Sequence, residues 1–262
     1  MHMVHNIARP VVVKIGGNAL DAAAERRIAL EAAALQGDGH PLVVVHGGGP
    51  EIDAALEREA VKSVRVDGLR VTDPATLAVT ERVLCGTLNK RLVRVFLSAG
   101  VQAVGLSGID GAMLQAHAID RNRLGFVGRI DHVDPHPLLA LLRAGIVPIV
   151  APLAYEPATG GTLNVNADTS AAAIASALGA RDLLLLTNVD RVRSDKSDAS
   201  SGMELLDLSS ARSFADSPNC EGSMKPKLQA AIDAVDAGVG RVLIGAASIK
   251  QMLEGDATVL CA

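Results

Sequence analysis

Val11-Val12-Val13-Lys14-Ile15-Gly16-Gly17-Asn18 and Val43-Val44-Val45-His46-Gly47-Gly48-Gly49-Pro50 are two copies of one pattern near the start of the chain. In each, a β-branched apolar run ends in glycines and a helix-forming stretch follows. A strand that stops at glycines lets a ligand approach bare backbone N–H groups, and the next helix adds its positive N-terminal end. Two such turns close together predict a site for something large and anionic. Lys14 places a fixed charge inside the first.

Further short apolar runs recur at 101–106, 146–152, 183–186 and 242–244. They lack polar alternation, as expected of strands covered on both faces in a mostly parallel sheet. Helical stretches lie between them at 22–35, 51–60, 74–98, 137–144, 169–178 and 225–237, and Gly100, Gly145, Gly179 and Gly238 stand at expected helix ends. The alternation predicts an α/β fold, a three-layer αβα sandwich with an open, mainly parallel sheet. Ligands in such sheets bind at the carboxyl ends of the strands, where both glycine turns fall. The segment 193–221 differs, and its polar stretch Ser194–Gly202 reads as an exposed, mobile loop. No break into separate domains is evident, so residues 1–262 read as one domain. A functional division is expected between an N-terminal substrate lobe, about 1–180, and a C-terminal nucleotide lobe, about 181–262.

Composition narrows the function. The chain has 262 residues, 49% apolar but only 2% aromatic, and a net charge of −4. Few aromatics and no basic excess argue against nucleic-acid binding. Cys85, Cys220 and Cys261 are far apart, without metal-ligand spacing, and read as reduced packing residues. No signal-like or membrane-spanning run is present, so a cytoplasmic protein without a membrane partner is expected.

Three further segments carry candidate chemistry. Asn164-Val165-Asn166-Ala167-Asp168-Thr169 opens an alanine-rich helix. Asn166 or Asp168 would cap it, yet two amides and a carboxylate exceed what one cap requires. Gly222-Ser223-Met224-Lys225-Pro226-Lys227 opens the last long helix, where lysines oppose the helix dipole unless an anion lies nearby. Surface solvation is the plainer reading of both lysines. Arg70, in a loop before Pro74, is suited to grip a carboxylate but alone is a weak signal.

Taken in order, KIGGNAL, VHGGGP, GLRVT, NKRLV, GLSGIDG, LGFVG, NVNADTSAAAIA and SMKPKL resemble the acetylglutamate kinase branch of the amino acid kinase family over nearly the whole chain. The resemblance implies phosphoryl transfer from ATP, with Mg²⁺, to the side-chain carboxylate of N-acetyl-L-glutamate on the route to arginine. Position by position it implies Lys14 and Lys227 on the transferring phosphoryl group, with Asp168 organising both. It implies Gly48, Gly49, Arg70 and Asn164 on the acyl substrate. It implies Gly16, Gly17, Asn188, Val189, Asp190, Arg191, Val192, Arg193, Gly222 and Ser223 on the nucleotide. No protein-held metal site is implied.

The chain departs from the pattern where Arg191 and Ser223 replace glycines, which touches the nucleotide side. Its short opening resembles the arginine-insensitive, homodimeric type. A carrier-bound aminoadipate kinase is the nearest alternative, suggested by Asn188 and the Cys85–Arg91 segment. A non-catalytic amino-acid sensor is a third reading, opposed by the retained lysines and aspartate.

Overall fold

A computed structural model describes residues 8–16, 21–66 and 68–262. Its centre is a set of buried parallel strands, β1 (Val11–Ile15) and β2 (Leu42–His46) among them, each buried at all five positions. Two strands of a small hairpin follow, β3 (Arg65–Val66) and β4 (Leu69–Arg70). The remaining strands are β5 (Ala103–Gly108), β6 (Leu114–Ala118), β7 (Gly128–Val133), β8 (Val147–Glu156), β9 (Gly161–Asn164), β10 (Asp182–Leu186), β11 (Leu205–Asp207), β12 (Arg241–Gly245) and β13 (Thr258–Cys261). The main sheet runs β11-β13-β12-β10-β1-β2-β8-β6-β7, with β5 and β9 also paired to β8. β1 pairs in parallel with β10 on one side and β2 on the other, and the antiparallel pairs are β12/β13, β6/β7 and β8/β9. The predicted open, mainly parallel α/β sheet is therefore present. Every strand after residue 181 lies on the β10 side of β1.

The helices are α1 (Ala22–Gly37), α2 (Gly49–Arg58), α3 (Pro74–Glu81), α4 (Asn89–Ser98), α5 (His136–Arg143), α6 (Ala167–Ala177), α7 (Leu208–Ala215), α8 (Met224–Asp236) and α9 (Ile249–Leu253). They cover both faces. Val11, Val13 and Ile15 of β1 belong to the core under α1 and α4, while Val12 belongs to the core under α6 and α8. Because strand side chains alternate, Lys14 shares the face of Val12. That places its ammonium beneath α6 and α8.

Local chemistry sets the helix ends. Asp73 caps α3 by accepting from the Thr76 N–H at 2.7 Å. Gly100, Gly145, Gly179 and Gly238 all take positive φ just past helix ends. The helical run 74–98 is continuous, but its middle, Arg82–Leu88, is a π-helix, a feature often found near functional sites. Leu84 and Leu88 from this segment press on Gly48, where a Cβ would stand 2.8 Å from each.

The segment 193–221 is mixed. Ser194–Ser200 is exposed, as expected of the polar stretch, with Ser201 and Gly202 half-buried, and the remainder contains β11 and α7, with Leu206, Ala211 and Ala215 buried. The three-residue strand and eight-residue helix are too short to give a periodic signal.

Beneath the second glycine turn lies a buried polar bridge. Asn89 Nδ2 meets His46 Nε2 at 3.1 Å and donates to the Ile149 carbonyl at 2.9 Å, joining α4, β2 and β8. Burial pushes His46 down to about 4, so the imidazole is neutral at pH 7. A Cβ on Gly105 would fall 1.8 Å from Asn89 Oδ1. Gly105→Ala is therefore expected to destabilise the fold by at least about 1–3 kcal/mol, the usual range for overpacking. Urea unfolding checks this, and an unchanged midpoint would contradict the bridge's role.

Candidate active site

The site forms where β1, α6 and α8 meet. Asn166 caps α6, its Oδ1 accepting from the N–H groups of Asp168 at 2.8 Å and Thr169 at 3.1 Å. Capping by Asn166 leaves the Asp168 side chain for another task. One of its oxygens, Oδ1, takes Lys14 Nζ at 2.8 Å and Lys227 Nζ at 2.9 Å. All three residues are buried, exposed by only 5–7%. The two lysines at the start of α8 thus part company. Lys225 is exposed, while Lys227 is buried and fixed.

Two cations on one carboxylate leave a local excess of one positive charge in a poorly hydrated place. Burial opposes ionisation of Asp168, but the two neighbouring ammoniums outweigh it and hold its carboxyl below the ordinary range. Lys227 is pulled from 10.5 to about 8, by burial first and by repulsion from Lys14 second, with Asp168 opposing both. Gly16 closes the corner. A Cβ there would stand 3.2 Å from both Lys14 Nζ and the Leu186 carbonyl oxygen. Gly17 lies outside the described residues.

Beside the triad is a cavity of about 140 Å³, lined by Gly47, Gly48, Gly49, Arg65, Arg70 and Asn164, with Asn166 and Ala167 at the triad end. Its glycine wall is the start of α2, where Gly48 supplies no side-chain cap. Arg70 is buried and donates to Asp53, to Ser63 Oγ at 2.6 Å and to the Gly49 carbonyl at 3.2 Å. Asn164 Nδ2 donates to Thr72 Oγ1 at 3.1 Å, and Thr72 in turn donates to the Arg70 carbonyl at 2.8 Å. The four residues expected on the acyl substrate therefore line one cavity. A larger hollow of about 850 Å³ between β7, α6 and α8 adjoins it through Leu69, Val165 and Asn166, and the three triad side chains line neither.

The residues expected on the nucleotide are less uniform. Gly222, with positive φ, and Ser223 are exposed just before α8, and Ser223 gives that helix no side-chain cap. First-turn N–H groups there are suited to phosphate. Asn188 and Asp190 are exposed in the loop after β10, with Val189 half-buried between them. Val192 is buried, its N–H donated to Thr258 Oγ1 at 2.9 Å and its carbonyl accepting from Met203 N–H. Arg193 bridges to Gly202. Arg191 packs on Gly202 and pairs with Glu204 at 3.0 Å and Asp256 at 3.8 Å, so its charge is spent at the β11–β13 edge.

The thiols read as packing residues. Burial pushes Cys85 up to about 11 and raises Cys220 as well, so neither is an activated nucleophile. Among the described residues no group of three His, Cys, Asp or Glu side chains is placed to hold a metal ion, and no helix is long and apolar enough to cross a membrane.

A lysine pair on a buried carboxylate, set at the carboxyl edge of a parallel sheet beside two helix N-termini, is a desolvated cationic corner suited to anionic oxygen. The chain belongs to the amino acid kinase family, whose model matches residues 9–246. Acetylglutamate kinase of Thermoanaerobacter pseudethanolicus is 42% identical over 238 residues, covering 90% of this chain and 79% of that protein. Acetylglutamate kinase of Symbiobacterium thermophilum is 41% identical over 246 residues, 90% of this chain and 83% of that one. Among solved structures, smu.665 from Streptococcus mutans UA159 superposes with a TM-score of 0.84 at 30% identity, covering 96% of this chain and 98% of its own.

The depressed Lys227 has a signed consequence for stability. Between about 8 and 10.5 the unfolded chain holds a proton that the folded chain has released, so stability rises with pH across that window. Below about 8 the folded state bears the full penalty of a charged buried lysine, about 3 kcal/mol. Lys227→Met is expected to be at least as stable as the parent at pH 7, with any advantage shrinking from pH 8 to 10. Urea titrations at several pH values test it, and a variant clearly weaker at pH 7 would refute the sign.

Proposed function

We propose that this chain is an acetylglutamate kinase, transferring the γ-phosphoryl group of Mg-ATP to the side-chain carboxylate of N-acetyl-L-glutamate in arginine biosynthesis. The observation that carries the site assignment is the convergence of Lys14 and Lys227 on one oxygen of Asp168. It is joined by relatives at about 40% identity over most of the chain.

The chemistry follows from charge. The acceptor carboxylate has an ordinary pKa near 4.3 and is ionised at pH 7, so no base has to remove a proton. The obstacle is bringing one anion against another. A carboxylate oxygen forms the new bond to phosphorus as the bond from phosphorus to the β,γ-bridging oxygen breaks, giving an acyl phosphate and ADP. Lys14 approaches from β1 and Lys227 from the nucleotide side, and together they neutralise the phosphoryl oxygens in transfer. Asp168 keeps both ammoniums charged and aimed, and acts as neither base nor nucleophile. Gly16 gives the phosphates access to Lys14, and the start of α8 offers further donors. Mg²⁺ arrives with ATP, held by phosphate oxygens. Asp168 is already committed to two lysines.

The test is hydroxylamine trapping of the acyl phosphate with Mg-ATP, comparing N-acetyl-L-glutamate, glutamate, aspartate and carrier-bound aminoadipate. N-acetyl-L-glutamate is expected to be the preferred acceptor, and failure to trap product from it would overturn the reading. Lys14→Ala and Asp168→Asn should each lower kcat at least ~100-fold, the scale of losing one preorganised charge-stabilising group, with unchanged circular dichroism. Asn is chosen at position 168 because it removes the charge while keeping the volume and one accepting oxygen for the lysines, whereas Ala would also leave a cavity. Near-normal turnover in either variant would sink the assignment.

The same reading carries a homodimer. Among the described residues β5 pairs with β8 alone, and Leu97 of α4 and Val104 of β5 expose apolar side chains by 47% and 36%. An open strand edge flanked by apolar groups is a pairing surface. Light scattering is expected to give twice the 27.0 kDa chain mass, reduced to one chain in Leu97→Asp. A monomeric parent protein would exclude the dimer.

A further inference from the structure

Arg65 and Asp53 have no part in the assignments above, yet they stand at the substrate cavity. Arg65, on β3, lines the cavity with its side chain 48% exposed. Its Nη2 lies 3.7 Å from where a Cβ on Gly49 would be. Asp53, in the first turns of α2, accepts from Arg65 Nη2 through Oδ2 at 3.0 Å. Through Oδ1 it accepts from Arg70 Nη1 and from Ser63 Oγ, the latter at 2.9 Å. One carboxylate therefore fixes two guanidiniums that come from the two strands of the hairpin.

Packing does not account for this arrangement. A hairpin of two-residue strands has little stability of its own, and Asp53 ties both strands to the helix whose N-terminus forms the opposite wall. The carboxyl of Asp53 lies at about 2; burial opposes its ionisation, and the bonds from Arg70, Ser63 and Arg65 prevail. Arg70 has three of its N–H donors on Asp53, Ser63 and Gly49, and a guanidinium carries five. Donors remain for a ligand, while the fork is already oriented. The hairpin end of the cavity thus carries two cations on one carboxylate, the same excess of one positive charge as the lysine triad beside the cavity.

We propose that Arg65 is a second substrate-binding arginine, and that Asp53 is the positioning residue that presents Arg65 and Arg70 together to the α-carboxylate of the acceptor. This rests on the kinase reading above, in which the acceptor is a dicarboxylate whose other end meets Lys14 and Lys227. Specificity for an acceptor charged at both ends then comes from a matched excess charge at each end of the cavity.

The test uses the full-length protein with Mg-ATP and two acceptors, N-acetyl-L-glutamate and 4-acetamidobutanoate, which keeps the acetamido group and the reacting carboxylate but lacks the α-carboxylate. Arg65→Ala and Asp53→Asn should each raise KM for N-acetyl-L-glutamate about 5–20-fold, as expected when charge-assisted contacts are lost. Their kcat and KM for ATP should stay within about twofold of the parent, the split that marks lost binding not lost chemistry. Arg65→Lys should recover part of the loss. With 4-acetamidobutanoate, followed as substrate or as competitive inhibitor, both variants should match the parent protein. An unchanged KM for N-acetyl-L-glutamate, or an equal penalty with both acceptors, would overturn the proposal, because a merely structural defect strikes both alike. Arg65 has an exposed side chain, so Arg65→Ala decides the matter even if Asp53→Asn folds poorly. If the parent protein makes no acyl phosphate from N-acetyl-L-glutamate, the kinase reading itself fails, an outcome separate from these.

Discussion

Two ammonium groups share one oxygen of Asp168 in a place almost without solvent, and much of the surrounding architecture can be understood as what keeps them there. Left to itself, a buried lysine next to another sheds its proton. Here the carboxylate opposes that loss, and in return the lysines hold the carboxylate ionised. The arrangement needs three chain segments brought together at once. β1 must alternate so that Lys14 points under α6 and not under α1. Asn166 must take over the capping of α6 so that Asp168 is free. α8 must begin where Lys227 turns inward while Lys225 turns out. None of these conditions is local to another, which explains why the triad joins residues from both ends of the chain.

The same physical device recurs at the cavity proposed for the substrate. Beside it two lysines meet Asp168, and at its hairpin end two arginines meet Asp53. The choice of cation fits the task. Lysine is a compact point charge suited to a phosphoryl group whose geometry changes during transfer, whereas the arginine fork matches a planar carboxylate that only has to be held. Between the two ends, the starts of α2 and α8 lack side-chain caps. A helix N-terminus left open carries unsatisfied donors, and both are open toward positions where the proposed chemistry supplies anionic oxygen. In the proposed function the two opening glycine turns look alike in sequence yet serve different partners.

The sequence was a good guide where burial was complete and a poor one where it was partial. β1, β2, β8, β10 and β12 were legible because strands covered on both faces read as unbroken apolar runs. β3, β4, β9, β11 and β13 have two to four residues each, too few to establish a period. The π-helical turn at Arg82–Leu88 was hidden inside a correctly predicted helix because its composition is ordinary. At the site, Lys14 stood out because a lone charge interrupts an apolar strand. Lys227 and Asp168 gained meaning only from the ordered family motifs, since by themselves a first-turn lysine and a helix-start aspartate read as surface and cap. Arg65 and Asp53 gave no signal at all. In sequence they are two more charged residues near a turn, and only the fold shows that a single carboxylate joins them. The altered glycine position at Arg191 shows the converse. It reads as an intrusion on the nucleotide, yet the side chain leaves toward Glu204 and Asp256.

What the site lacks in proton-transfer groups it has in stored charge. His46, the histidine nearest the glycine turn, is neutral and tied to Asn89, and the two thiols with shifted values are raised away from reactivity. A reaction between two anions needs no proton moved, so nothing is lost by this. It needs positive charge already desolvated before the substrates arrive, because desolvating it during the reaction would add to the barrier. The protein accepts that penalty in the folded state, where Lys227 sits well below its ordinary pKa. In the proposed reaction, catalytic power and local instability are then one property of the same lysine, and a more stable site of this shape would be a weaker electrostatic catalyst.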